Sequence, residues 1–281
     1  MQTYERLTLT EFLKVVDILN WREVKTKENE ILLPIGVPKR DCARGPLVLD
    51  HSKQHMLVAG RLGSGYYNFM NNLILLTSFA RNAKDPLSIW VIDADNAGLT
   101  TSSMLCSKHN GVLACDIPMV WQMLNVTTDI GCSDTIDELY ELVHTKQEAP
   151  VLVVINEADK LVRDSAVGVK VHKILQQALG TNVHFILGSE RLSFSKSLMN
   201  LSAVRVCLRT SHINSINMLN DPEASTLPTV GYCVSNEYFG QLDSENVLWQ
   251  VPYLDEESTN ILRSEIRKGF KTPDYSLPAV I

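Results

Sequence analysis

Two hydrophobic periods divide the chain into short apolar runs and longer amphipathic stretches. The runs "ILLPIGV" (31–37), "PLVLD" (46–50), "HMLVAG" (55–60), "SIWVID" (88–93), "VLVVI" (151–155), "VHFILG" (183–188) and "AVRVCL" (203–208) predict strands. The run 151–155 is apolar at every position, as in a parallel strand covered on both faces. Helical spacing predicts helices over 65–81, 134–146 and 169–179, the second with Ile136, Leu139, Leu142 and Val143 on one face and Ser133 or Asp134 as its cap. Residues 7–19 predict a further helix, with Thr8 and Glu11 as a capping box and Leu13, Val16, Ile18 and Leu19 as its apolar stripe. After about residue 225 the pattern shortens to "GYCVSN", "YFGQL" and "VLWQVPYL", then a helix over 255–270 that starts with acids and ends with bases. This alternation predicts an α/β fold: a doubly wound, mostly parallel sheet flanked by helices, with a C-terminal antiparallel edge. Residues 1–28 read as a helical arm or linker and 29–281 as one domain.

Composition narrows the function classes. The 281 residues are 45% hydrophobic and 21% charged, enough for a core and unlike a disordered chain. With 26 Lys and Arg against 32 Asp and Glu, the net charge of −6 argues against a nucleic-acid binder. The densest basic run, "IRKGFK" (266–271), reads as the cationic end of a helix. Six cysteines without a C-x-x-C pair suggest a reducing compartment, and neither they nor the seven histidines form a metal-ligand spacing. No apolar run has the length of a membrane span, and the first residues lack a signal-peptide pattern.

The stretch "GRLGSGYY" (60–67) places Gly60, Gly63 and Gly65 between a strand and a helix. A phosphate loop there aims backbone amides and a helix N-terminus at phosphates, a lysine adds positive charge, and a hydroxyl ligates magnesium. Here Gly60, Arg61, Gly63, Ser64 and Gly65 keep the backbone part, whereas Tyr66 stands at the lysine position and Tyr67 at the hydroxyl. The second half of such a site is an apolar strand ending in acids, and "VLVVINEAD" ends in Asn156 and Glu157. Three charge-dependent contacts are absent together. At about 1.5–3 kcal/mol each, that is roughly 4–9 kcal/mol, or on the order of three to six decades of nucleotide affinity. Taken alone, the glycine run also suits a plain tight turn, with one tyrosine ring packed into the phosphate space and the other capping the helix.

The ordered series of segments resembles the FtsK/SpoIIIE-like P-loop ATPases, most closely the tandem ATPase domains of the type VII secretion coupling proteins EssC and EccC. "LLPIGV", "GPLVLD" and "HMLVAGRLGSG" resemble the lead-in strands and phosphate loop, and "SIWVIDADNAGL" the next strand with its aspartate. "VLVVINEADKL" is similar to the acidic strand, with Asn156-Glu157-Ala158-Asp159 for an Asp-Asp-x-Asp-like run. "NVHFILGSERLS" keeps Arg191 and Ser193 of a Thr-x-Arg-Pro-Ser ending, and Asn214-Ser215-Ile216 stand for an Asp-Ser-Arg signature. "LPTVGYCV" and "VLWQVPYL" look like the closing hairpin.

The resemblance implies a P-loop NTPase fold of the RecA/FtsK type and the last, most degenerate domain of a larger protein anchored in the plasma membrane. It would lie on the cytoplasmic face, beside preceding ATPase domains of the same chain. Its partners would be secreted helical-hairpin proteins, with ring-type self-assembly, no nucleic acid, and membrane contact only through the full-length protein. The residues predict no catalytic group and no cofactor or metal, with Asn156, Glu157 and Arg191 vestigial. The alternative is a weak or assembly-dependent ATPase binding ATP and magnesium and using Glu157 with Arg191; a DNA translocase is a third reading. Trp121, Tyr140, Tyr238 and Phe239 are candidate substrate-contacting aromatics for which core packing is the expected fate.

Overall fold

In the computed structural model the described residues are 6–16, 30–39, 46–81, 86–94, 99, 105–109, 112–115, 117, 119–126, 129–162, 165–190, 194–228, 230–238 and 241–269. Nine strands form the central sheet: β3 (Val37–Pro38), β5 (His55–Ala59), β6 (Ser88–Ala94), β9 (Val120–Val126), β10 (Val151–Asn156), β11 (Val183–Ser189), β12 (Val204–Cys207), β13 (Tyr232–Tyr238) and β14 (Gln241–Gln250). Their order is β3-β14-β13-β12-β5-β11-β10-β6-β9. From β12 to β9 every pairing is parallel, and β13, β14 and β3 close the other side antiparallel. The mostly parallel sheet with an antiparallel C-terminal edge is therefore as the periodicity predicts. Two-stranded pairs lie outside it: β1 (Leu7–Thr8) with β15 (Pro252–Tyr253), β2 (Ile31–Leu33) with β4 (Leu47–Leu49), and β7 (Cys106–His109) with β8 (Val112–Cys115).

Strand alternation feeds two apolar layers. In β5, Met56 and Val58 enter one layer and Leu57 and Ala59 the other; in β10, Leu152 and Val154 oppose Val151, Val153 and Ile155 in the same way. The first layer is covered by α1 (Leu9–Val15), α2 (Tyr66–Phe79) and α8 (Glu256–Gly269). The second is covered by α3 (Asp129–His144), α4 (Ala158–Leu161), α5 (Ser165–Ala178), α6 (Lys196–Leu201) and α7 (His212–Leu219). Because α2 lies between the sheet and other elements, all but two of its fourteen residues are buried, and it has no polar face of its own.

Several expected boundaries move, each for a local reason. The N-terminal helix spans only Leu9–Val15, since Leu7 and Thr8 pair as a strand with Pro252 and Tyr253, and positions 17–19 lie outside the described residues. Its capping box is present: Glu11 N–H donates to Thr8 Oγ1, and Thr8 N–H to Glu11 Oε2 at 2.8 Å. The run 31–37 splits into β2 and β3 around Pro34, which has no N–H for a ladder. Helix α3 starts at Asp129, so Ser133 and Asp134 lie inside it rather than capping it. The strand β9 and the β7–β8 hairpin lack the periodicity that marks the other strands.

Candidate functional site

The chain leaves β5 at Ala59 and turns through Gly60–Gly65 into α2. Gly63 and Gly65 have φ of 77° and 85°, the left-handed region that a residue with a Cβ enters only at a cost. Gly65 is the N-cap of α2 and makes no side-chain cap, so the loop brings bare helix amides to the carboxyl end of the central strand β5. Ser64 N–H donates to Arg61 O at 3.0 Å, and Arg61 N–H to Arg209 O at 3.0 Å, which fixes the loop against the end of β12. Arg61 is exposed, Leu62 at the tip is 81% exposed, and Ser64 is buried.

Tyr66 turns inward and is 1% exposed. Strand β11 lies between β5 and β10, so a side chain at the loop must cross β11 to reach the acidic strand. Gly188 makes that crossing possible: a Cβ there would collide with the Tyr66 phenol oxygen and lie 2.9 Å from Met70 Cε. Beyond it, Tyr66 Oη donates to Asn156 Oδ1 at 2.8 Å. Asn156 Nδ2 in turn donates to Asp93 Oδ1 at 2.7 Å, and Leu99 N–H donates to Asp93 Oδ2 at 2.7 Å. Asn156 and Asp93 are register partners on β10 and β6, and both are 0% exposed.

The chain of donors explains why an amide stands at 156. The group there must give a proton to a carboxylate and accept one from a phenol, and a carboxamide does both with its two ends. An ionised carboxyl would set two like charges at hydrogen-bond distance in a buried space, which drives one of them to hold its proton. Tyr66 and Asn156, two separate departures from the phosphate-loop pattern, are thus partners in a single buried network.

Tyr67 lies at the loop's edge. Its ring packs edge-on against Tyr66, with centroids 5.2 Å apart, and its Oη stands 3.5 Å from Glu157 Oε1, a long hydrogen bond. Glu190 N–H donates to the same oxygen at 3.3 Å, and Lys160 Nζ is 4.0 Å from Oε2. Glu157 is 2% exposed and holds a left-handed φ of 53° at the end of β10. Burial and then the neighbouring Asp159 push its carboxyl above the usual range, with Lys160 opposing them. Burial and the Glu157 charge push both phenols upward, so both are neutral donors. Neither tyrosine caps α2, contrary to the tight-turn expectation, because Tyr66 is committed to Asn156 and Tyr67 to Glu157.

The remaining expected residues separate. Asp159 accepts from Ser189 Oγ at 2.8 Å, a bond within the fold between the two strand ends. Ser215 Oγ donates to Asp221 O and accepts from Ala224 N–H, which serves the turn after α7. Arg191 and Ser193 lie outside the described residues, as do the side chains of Trp121, Tyr238 and Phe239. Tyr140, expected in the core, is 37% exposed and stacks on His144 one helical turn later. Gly188 is the participant the sequence does not flag, since a glycine at the end of an apolar run has no periodic signal. Asp93 belongs to a segment that resembles the family but is not among the expected site residues.

Beside the loop, a cavity of about 780 Å³ opens between the start of α2 and the segment Gln250–Leu254, walled by Phe69, Leu208, Val230 and Tyr253. Among the described residues, no group of three or more His, Cys, Asp or Glu could hold a metal ion, and no helix is long and apolar enough to cross a membrane.

No family model and no curated protein sequence matches the chain. Solved structures do. The chain is similar to the cytoplasmic domain of the type VII secretion ATPase EccC of Thermomonospora curvata, at 18% identity and TM-score 0.68 over 97% of this chain and 35% of that one. A structure of ATPases 2 and 3 of the same EccC in complex with a signal sequence peptide matches at 18% identity and TM-score 0.61, over 90% of this chain and 49% of that one. ATPases 2 and 3 of EssC from Geobacillus thermodenitrificans match at 13% identity and TM-score 0.67, over 91% and 52%. The pCW3 conjugation coupling protein TcpA, in a monomer form with ATPγS, matches at 14% identity and TM-score 0.63, over 95% and 75%. The chain thus spans about a third to a half of the EccC and EssC chains it resembles. Its fold is similar to that of the ATPase domains of EccC and EssC.

Proposed function

We propose that this chain is a coupling module of a type VII secretion machine that keeps the ATPase fold without binding or hydrolysing nucleotide. The observation that carries the reading is the buried run Tyr66–Asn156–Asp93. The residues at these positions do not fit a magnesium nucleotide. The lysine position holds a neutral phenol turned into the core, and the amide at 156 has both ends engaged and no charge for a cation. The bare amides at the start of α2 remain, but amides alone lack the charge that outer phosphates call for.

In this reading the domain supports recognition and export of secreted helical-hairpin proteins. It works next to further ATPase domains of a longer, membrane-anchored chain, on the cytoplasmic face. The EccC structure that holds a signal sequence peptide supports a substrate-binding use of this scaffold. Isothermal titration with magnesium ATP tests the first half: the expected result is no saturable heat, and micromolar binding would sink it. Capture of purified helical-hairpin substrates on the immobilised domain tests the second half, with no retention above a scrambled-signal control as the failing result.

One observation favours a second reading, a weak ATPase. Glu157 sits at the end of β10 with a carboxyl shifted upward, a property of general bases. If measurable hydrolysis exists and Glu157→Gln abolishes it, this reading replaces the first.

A further inference from the structure

The β7–β8 hairpin is inserted between two neighbours of the central sheet, β6 and β9. Its register pairs Cys106 with Cys115, Ser107 with Ala114, Lys108 with Leu113 and His109 with Val112. Between His109 and Val112 the sequence is Asn110-Gly111, a dipeptide favoured in two-residue hairpin turns. The outermost pair of the ladder is therefore two cysteines set directly opposite one another. Directly opposed residues in an antiparallel pair have Cα atoms about 4.5 or 5.5 Å apart, depending on the kind of pair, and a disulfide accepts about 4.4–6.8 Å. Both kinds meet the Cα window, and the closer, non-hydrogen-bonded kind also brings the Cβ atoms to about the 4.5 Å limit of a disulfide. Counted outward from the His109–Val112 pair that flanks the two-residue connection, Cys106–Cys115 is of that kind, so a bridge needs no change of register.

We propose that Cys106 and Cys115 form a reversible disulfide, making the hairpin a redox-responsive modification site. The oxidant is a low-molecular-weight disulfide of the glutathione class. A thiolate from one cysteine attacks it, forming a mixed disulfide and releasing one small thiol. The opposite cysteine then attacks the protein sulfur of that mixed disulfide, closing the Cys106–Cys115 bond and releasing the second thiol. One oxidised small disulfide is reduced to two thiols and the two protein thiols are oxidised, so electrons and protons balance. Two other cysteines cannot compete: Cys207 and Cys233 are fully buried, and burial pushes both thiols well above their ordinary range.

The location gives the bond a consequence. Leu105 and Ile117, just outside the two cysteines, are fully buried in the same core layer as α2. Leu99, earlier in the connection from β6, donates its N–H to Asp93 of the buried network. The disulfide closes a ring of ten residues within this connection and holds its two anchors together.

The test is peptide mapping of the full chain, incubated under native conditions with oxidised glutathione, alkylated and digested without reduction. Trypsin cuts after Lys108, between the cysteines, and chymotrypsin cuts after Trp121, between Cys115 and Cys132, so a bridge leaves the Cys106 and Cys115 peptides joined and lighter by two hydrogens than their sum. The expected result is that joined pair, its loss after dithiothreitol, and its absence in Cys106→Ser and Cys115→Ser. A Cys42→Ser variant should retain it. Mixed glutathione adducts alone, pairing of either cysteine with another residue or another chain, or full alkylation of both after oxidation would overturn the proposal. Mapping the unmutated protein keeps the test independent of whether the serine variants fold.

Discussion

Asn156→Asp restores the acid that a cation-binding strand would carry, and the structure predicts that it damages this protein in a pH-dependent way. The amide nitrogen lost by the change donates to Asp93 at 2.7 Å, with both residues wholly buried. Two ionised carboxyls at that separation do not coexist, so the folded state keeps one proton between them. That raises one acid above its unfolded value of about 3.9, and a group raised in the folded state stabilises below the unfolded pKa and loses that stability as pH rises. The deficit of the variant against the unsubstituted protein should therefore grow by about 1.4 kcal/mol per pH unit until the folded pKa is passed. For a shift of 2–3 units this reaches roughly 3–4 kcal/mol, a large part of the 5–15 kcal/mol typical of a folded domain. About 1.5 kcal/mol of that has accrued by pH 5, so urea unfolding of both proteins at about pH 5 and about pH 8 should show deficits that differ by roughly 1–3 kcal/mol, and subtraction removes the titration of groups they share. Equal deficits at the two pH values, or a variant as stable as its parent, would refute the network as the reason for the amide.

Three further outcomes follow from features outside that pair. Gly188→Ala should cost about 1–3 kcal/mol by overpacking, and less when Tyr66→Phe removes the colliding oxygen; additive costs in a double-mutant cycle would show that the tyrosine does not cross there. His55 and His184 are buried, and burial lowers each pKa to about 4, so both are neutral in the folded state. The unfolded chain then binds more protons below about 6.5, and stability should fall by up to about 1.4 kcal/mol per unit and per histidine between about pH 6.5 and 4; a flat unfolding free energy over that range would contradict it. Phe12→Ala should cost about 3–5 kcal/mol in one cooperative transition followed by circular dichroism, since its ring is fully buried in the layer that covers α2; an unchanged midpoint would show that α1 packs loosely.

Strands β5, β6, β10, β11 and β12 of the parallel core are legible because burial leaves them largely apolar, and α2 is legible through its glycine start. The hairpin β7–β8 and strand β9 are not, since "CSKHNGVLAC" and "VWQMLNV" mix polar and apolar residues without a sustained period of two. At the site, the departures at Tyr66, Tyr67 and Asn156 are plain in the sequence, but their meaning is not. Read singly they subtract charge, and only the sheet order, with β11 between β5 and β10, places the phenol against the amide. The contribution of Gly188 is a matter of one absent methyl group, and no local pattern encodes that.

The bidentate use of Asn156 also shapes the routes by which this sequence can change. Tyr66→Lys would put an ammonium where a phenol is wholly buried, and Asn156→Asp would face an acid with an acid. A larger residue at 188 closes the passage altogether. Each single substitution of these kinds therefore costs stability unless a second compensates it, and positions ninety residues apart are coupled. The network thus ties the two positions together: a change at either one leaves a buried polar group of the other without its partner.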